Sequence, residues 1–187
     1  MNKLKKISNF DGLEILNVDT YEDKRGKFKK IFDLNNLSQF GWRGSIHQIN
    51  LSETLKKGTL RGMHLQFHHF SEYKLVTCIR GSVFDVVLDL RRDSKTFMNY
   101  FQTELSERKN NSILIPSGFA HGFQSLENNS QLIYAHSKDY RPKFEGGCLA
   151  IDKNLGIEWP LKVTEISERD LKLPTLDVLI KKKDFLS

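Results

Sequence analysis

Residues 61 to 76, RGMHLQFHHFSEYKLV, set Arg61, His64, His68, His69 and Lys74 among Met, Leu, Phe, Tyr and Val. An ordinary buried strand has no use for so many ionisable groups, because a buried charge is costly unless it is paired. Either these groups form a solvated face, or they line a pocket that holds an anion or moves a proton. Histidine suits the second task, since it exchanges protons near neutral pH. A cation beside it can bind phosphate or stabilise a developing negative oxygen.

Imidazoles also bind metals, and His64, His68, His69 and His121 are the available ligands. On a strand, neighbouring side chains point to opposite faces, so His68 and His69 cannot serve one ion. His64 and His68 would share a face, but at a separation long for a single ion, and Lys74 would add a positive charge nearby. No metal and no other cofactor is expected.

The elements that must position these residues read mainly as strands. In RGSVFDVVLDLRRDS, Phe84, Val86, Leu88 and Leu90 fall on one face, and Val83, Asp85, Val87 and Asp89 on the other. NSILIPSGFAHGFQSL and QLIYAHS read as further strands, and IHQINLSE and LRGMHLQF flank a turn at Lys57 and Gly58. Helical signals are few. FDLNNLSQFG predicts a short helix ended by Gly41. Ser167 and Asp170 in ISERDLKLP have capping-box spacing, which predicts a short helix ending near Pro174. Many strands with a few short peripheral helices indicate an all-β sandwich or small barrel.

Composition narrows the class. A chain of 187 residues is expected to make a single domain, 1–187, with a sizeable core. The basic start, MNKLKKISNF, is followed by no apolar run, and no segment is apolar enough to span a membrane. A net charge of +6 suits a small anionic substrate. The basic residues are spread along the chain, so neither a nucleic acid nor a membrane is an expected partner. The one dense run, KKKD at 181 to 184, reads as a solvated tail. Cys78 and Cys148 make no disulfide framework and read as reduced thiols of a cytoplasmic chain.

In IPSGFAHGF, Pro116 and Gly118 make a tight turn and His121 follows three residues later. This P-x-G-x-x-H pattern resembles the signature of the cupin jelly roll. Together with RGMHLQ, YKLVTCIRGSVFDVVLDLRRDSKTF, LIY, LGIEWP and ISERD, in this order and spacing, it resembles the dTDP-4-dehydrorhamnose 3,5-epimerase family. These are metal-free cupins of nucleotide-sugar biosynthesis, and the similarity runs from about residue 23 to 170. The resemblance implies an epimerase that inverts carbon 3, carbon 5 or both in a nucleotide-linked 4-keto-6-deoxysugar. It implies His64 as the base, Asp170 as the group orienting it, Tyr134 as the acid and Lys74 beside the enolate oxygen. It places Arg61 at the diphosphate, Gln48 and Asn50 near the nucleotide, and His121 in the pocket lining. Asp85 should be a buried carboxylate partnered by Lys74 or a histidine. Arg25 and Phe28 match an arm that reaches the neighbouring subunit's nucleotide site, which implies a homodimer.

Departures from the family pattern fall on the nucleotide side. Lys30, Ile49 and Ala135 stand where Glu, Asp and Lys are usual, and CLAI follows Gly147 in place of the usual RWND. Asp139 stands where a stacking aromatic is usual. Either Asp139 accepts hydrogen bonds from an amino-bearing base, or Tyr140 takes over the stacking. The second arrangement needs a bulge or loop, because a one-residue shift on a strand flips the face. The base (thymine, cytosine or guanine) therefore stays open, and a cupin 3,4-ketoisomerase is the nearest competing activity.

Overall fold

The structure is a computed structural model that describes residues 2–5 and 9–181. The strands are β1 (Asn2–Lys5), β2 (Glu14–Asn17), β3 (Asp19–Asp23), β4 (Gly26–Lys30), β5 (Gln48–Thr54), β6 (Leu60–Gln66) and β7 (Lys74–Arg80). They continue with β8 (Ser82–Asp89), β9 (Tyr100–Ser106), β10 (Asn111–Ile115), β11 (Phe119–Ser125), β12 (Ser130–His136) and β13 (Glu145–Gly147). Three short helices accompany them: α1 (Leu34–Gln39), α2 (Glu168–Leu171) and α3 (Leu176–Lys181).

The strands form a six-stranded sheet, β1-β2-β10-β7-β12-β5, and a five-stranded sheet, β13-β6-β11-β8-β9. All pairings are antiparallel, and β3 and β4 form a separate hairpin. The two sheets pack as a jelly-roll sandwich, which is the expected fold class.

Alternation along β8 shows why the sheets stack. Val83 and Val87 enter a cluster with Val76, Cys78, Ile113 and Leu132 from the opposite sheet. Phe84, Val86, Leu88 and Leu90 face the other way, into a second cluster. That cluster is closed by Cys148, Leu155 and Trp159, and by Leu176 and Leu179 of α3. A third cluster, built around Leu37 and Trp42, seals the outer face of the six-stranded sheet.

Helix α1 forms as expected. Asp33 caps it by accepting from Asn36 N–H at 3.3 Å, and Gly41 ends it at φ +100°, a conformation that suits glycine. The Ser167 hydroxyl accepts from Asp170 N–H at 3.1 Å, which is one half of a capping box. The other half is absent, because the Asp170 carboxylate is engaged elsewhere. Helix α2 stops at Leu171, and α3 follows Pro174, a helix the sequence reading did not expect. Lys181 ends α3, and the rest of the KKKD run lies outside the described residues.

Candidate active site

A cleft of about 680 Å³ opens between the sheets. Its five-stranded wall carries Arg61 and His64 on β6 and His121 on β11. Its six-stranded wall carries Gln48 and Asn50 on β5, Lys74 on β7 and Tyr134 on β12. Helix α2 contributes Asp170.

Arg61 and His64 are three residues apart, so an uninterrupted strand would point them to opposite faces. The pairing of β6 with β11 is irregular here: His64 lies opposite His121, and Arg61 opposite Phe123. Gly62 and Met63 thus share the single partner Gly122, which is a β-bulge. The bulge turns both Arg61 and His64 into the cleft. Gly62 sits at φ +121°, and a Cβ there would lie 2.5 Å from Gly122 Cα. Only glycine fits.

The His64 ring meets Asp170 across 106 residues of sequence, with Nε2 2.8 Å from Oδ1. Asp170 Oδ2 accepts the Gly62 N–H at 3.1 Å. Burial alone would raise the Asp170 pKa, but the His64 hydrogen bond and charge and the Gly62 and Ser167 contacts outweigh it, so the carboxyl is held below its usual range. An ionised Asp170 keeps the proton on Nε2 and leaves Nδ1 of His64 free to accept one.

Asp85 is fully buried and bonds to His121 Nε2 at 2.7 Å. Its partner is therefore the histidine of the P-x-G-x-x-H motif and not Lys74. Lys74 pairs instead with Glu72 at 3.3 Å, and Glu72 also bonds His136 Nδ1 at 3.0 Å. The Tyr134 ring stands edge-on to His121 and parallel to His136, with centroids 6.0 Å apart in each case. Burial, reinforced by the Asp85 charge, pushes the Tyr134 phenol far above its ordinary pKa, so it stays protonated at neutral pH.

Arg61 is held by neutral groups: its Nε donates to Thr54 Oγ1 at 3.2 Å and its Nη2 to the Glu53 carbonyl at 3.1 Å. Its positive charge stays available to an anion. At the mouth, Tyr140 lines the cleft and Asp139 does not. The Asp139 carboxylate faces His47 at 3.3 Å and Arg141 at 3.6 Å. Strand β12 ends at His136, so both residues lie in a loop and the parity argument for a strand does not bind them. Of the two alternatives for this position, Tyr140 is the one whose side chain borders the cleft.

Arg25 and Phe28 lie on the β3–β4 hairpin, away from the cleft lining of their own chain. Phe28 is 69% exposed and leans on Tyr21, which is 60% exposed, and Arg25 pairs with Asp23 at 2.6 Å. Residues 68–70 form a 3-10 turn beyond the end of β6. The strand-face argument for His68 and His69 therefore does not apply, and the His68 side chain lies outside the description. Among the described residues no group of three or more His, Cys, Asp or Glu could hold a metal ion.

Sequence reasoning missed five ionisable residues of the lining: Glu72, His136, Glu145, Glu165 and Arg169. His136 had a signal, since it lies two residues after Tyr134 on the same strand face. Arg169 pairs with Glu145 at 2.8 Å, a contact between α2 and β13 that no local pattern announces.

Comparison with known proteins gives a consistent answer. A family model described as dTDP-4-dehydrorhamnose 3,5-epimerase matches residues 8–177. The dTDP-4-dehydrorhamnose 3,5-epimerase of Salmonella typhimurium is 36% identical over 165 residues, covering 87% of this chain and 90% of that protein. The structure of the rmlC epimerase of Mycobacterium tuberculosis aligns with a TM-score of 0.92 at 30% identity, over 100% of this chain and 94% of that one. ChmJ, a 3'-monoepimerase from Streptomyces bikiniensis solved with dTDP-quinovose, aligns with a TM-score of 0.84 at 30% identity, over 95% and 88%.

Proposed function

Because the chain belongs to the dTDP-4-dehydrorhamnose 3,5-epimerase family, we propose that it is an isomerase acting on a dTDP-linked 4-keto-6-deoxysugar. The ketone of such a sugar acidifies the protons on carbons 3 and 5. His64 removes one of them, assisted by Asp170. The electron pair moves onto the ketone oxygen, and Lys74 stabilises the enolate. Tyr134 then delivers a proton to the opposite face of the carbon.

One observation carries this reading. His64 and Tyr134 stand on opposite walls of one cleft, the first on the five-stranded sheet and the second on the six-stranded sheet. A flat enolate between them is reached by a base on one face and an acid on the other, which is what inversion requires.

Arg61 takes the diphosphate, with Gln48 and Asn50 beside the nucleotide. Tyr140, held by a hydrogen bond from its N–H to Gln48 Oε1 at 2.9 Å, stacks on the base. His121, fixed by Asp85, lines the sugar end. The exposed Phe28 and Tyr21 support a homodimer in which the hairpin bearing Arg25 covers the neighbouring subunit's site. The family match over residues 8–177 supports reading 1–187 as one cupin-like unit. Cys78 and Cys148 are buried free thiols whose pKa values burial pushes up to about 11 and about 12, which fits unreactive core cysteines in a reducing cytoplasm. Among the described residues no helix is long and apolar enough to cross a membrane.

Incubation of the enzyme with dTDP-4-keto-6-deoxyglucose in deuterated water tests the proposal. Deuterium should enter at carbon 3, carbon 5 or both, and mass and NMR analysis will show which. Absence of incorporation from the dTDP-, CDP- and GDP-linked sugars would overturn it.

A further inference from the structure

Glu72 is a carboxylate only 7% exposed, placed just before β7. Burying a carboxylate is costly unless it is paired and hydrogen-bonded. Here one oxygen faces Lys74 Nζ at 3.3 Å and the other faces His136 Nδ1 at 3.0 Å. His136 continues the contact, with Nε2 3.4 Å from Asn50 Nδ2. A single carboxylate thus ties together side chains of β5, β7 and β12 on the wall that carries the proposed acid.

Tyr134 sits between two imidazoles, each clamped by its own carboxylate. His121 meets the ring at 67° and is held by Asp85; His136 lies at 17° to it and is held by Glu72. Both pairs are buried, the first more deeply: the His121 and Asp85 side chains are 5% and 0% exposed, those of His136 and Glu72 12% and 6%. A phenol that is to reach one face of a carbon has to be held in one plane, and the edge-on contact with His121 leaves the ring face to His136, which stacks on it.

We infer that Glu72 and His136 are a positioning pair for proton return: the carboxylate aims the Lys74 ammonium at the enolate oxygen and, through His136, fixes the plane of Tyr134. The inference rests on the epimerase reading. It adds to it a determinant of how enolates divide between inversion and return to substrate. With Tyr134 misaligned, His64 still forms the enolate. The imidazolium of His64 exchanges its proton with solvent and returns a deuteron from its own side, which regenerates the starting configuration. Deuterium enters recovered substrate at the expense of epimer.

The test measures, in deuterated water, the ratio of deuterium in recovered substrate to epimer formed, for wild type, Glu72→Gln, His136→Gln and the double variant. The expected result is a rise in that ratio in each single variant, with epimer formation slowed roughly tenfold to a hundredfold and KM little changed. The double variant should be no worse than the more impaired single one, because the two residues act as a unit. Thermal midpoint and dTDP affinity monitor folding. If Glu72→Gln fails to fold, His136→Gln carries the test alone. A wild-type ratio in folded variants would overturn the inference and leave the epimerase standing. Wild-type enzyme that exchanges no proton would overturn both.

Discussion

The inner end of the cleft and its mouth are built on different principles. Inside, every imidazole has a carboxylate: His64 with Asp170, His121 with Asp85, His136 with Glu72. The three carboxylates are 0–7% exposed. In so dry a site charges interact strongly, and an unmatched one would be expelled or neutralised. At the mouth, Asp139, His47, Arg141 and Tyr140 are all substantially exposed, and the ion pairs of Asp139 with His47 and Arg141 are long, at 3.3 and 3.6 Å. The inner end is thus organised before substrate arrives. The mouth has an aromatic and a cation ready, and is completed by the ligand and, in our proposal, by a partner's hairpin. Proton transfer needs fixed geometry, whereas nucleotide binding tolerates adjustment.

The contrast can be broken by substitution. The largest effect is expected at His64. His64→Ala should abolish deuterium exchange at every carbon, and Asp170→Asn should lower it by roughly a hundredfold to ten-thousandfold while leaving dTDP affinity near wild type. Isotope wash-in and calorimetry on the same preparations would separate the two quantities. Wild-type exchange in His64→Ala would show that the base lies elsewhere.

The bulge comes next. Gly62→Ala forces a Cβ against Gly122 Cα at 2.5 Å, in a backbone conformation that disfavours it. A loss of about 2–4 kcal/mol in denaturant unfolding is expected. The same variant should displace Arg61 and His64 together, weakening both dTDP binding and exchange.

Acid should act on the inner end first. Burial would raise the pKa values of Glu72 and Asp170 there, but hydrogen bonds and neighbouring cations outweigh it, so both lie below the carboxylate range. A carboxylate whose folded pKa is depressed stabilises the fold above its unfolded value of about 4. That contribution is lost as pH falls from there through the folded value. The unfolding midpoint should therefore be flat above about pH 5 and drop below it. Asp170→Asn should make the drop shallower. An identical acid limb in that variant would place the responsible carboxylates elsewhere.

The smallest effects belong to the mouth. Tyr140→Ala should weaken dTDP binding by about tenfold, as loss of one stacking contact implies. Asp139→Ala should change it by no more than about 0.5 kcal/mol, since its carboxylate faces His47 and Arg141 and not the cleft. Titrations with dTDP, CDP and GDP would sharpen this: a preference for GDP or CDP that vanishes in Asp139→Ala would return base reading to the carboxylate.

Much of this was legible in the residues themselves. Period-2 alternation in β8 gave both faces of a strand buried on two sides, because each face packs on a different cluster. Gly41 marked the end of α1 through the positive φ that a helix C-terminus favours. The same alternation could have found His136, two residues beyond Tyr134. It could not have tied Glu72 to His136, because that carboxylate reaches the imidazole only once β7 and β12 are paired, with His136 opposite Lys74. Helix α3 escaped notice because its six residues are too short for periodicity to speak, and it forms by burying Leu176 and Leu179.

The sequence by itself determined the strand-rich fold, the chemical types at the site and the family to which the chain belongs, since each is carried by local pattern or by motifs in order. Tertiary structure decided the orientations. Arg61 and His64 share a cleft only because β6 bulges against β11. Asp170 became the partner of His64, beyond being a helix residue, only because α2 folds back across 106 positions. Tyr140 faces the cleft only because β12 has already ended at His136. Each depends on the register between segments distant in the chain, which packing fixes and no local spacing encodes.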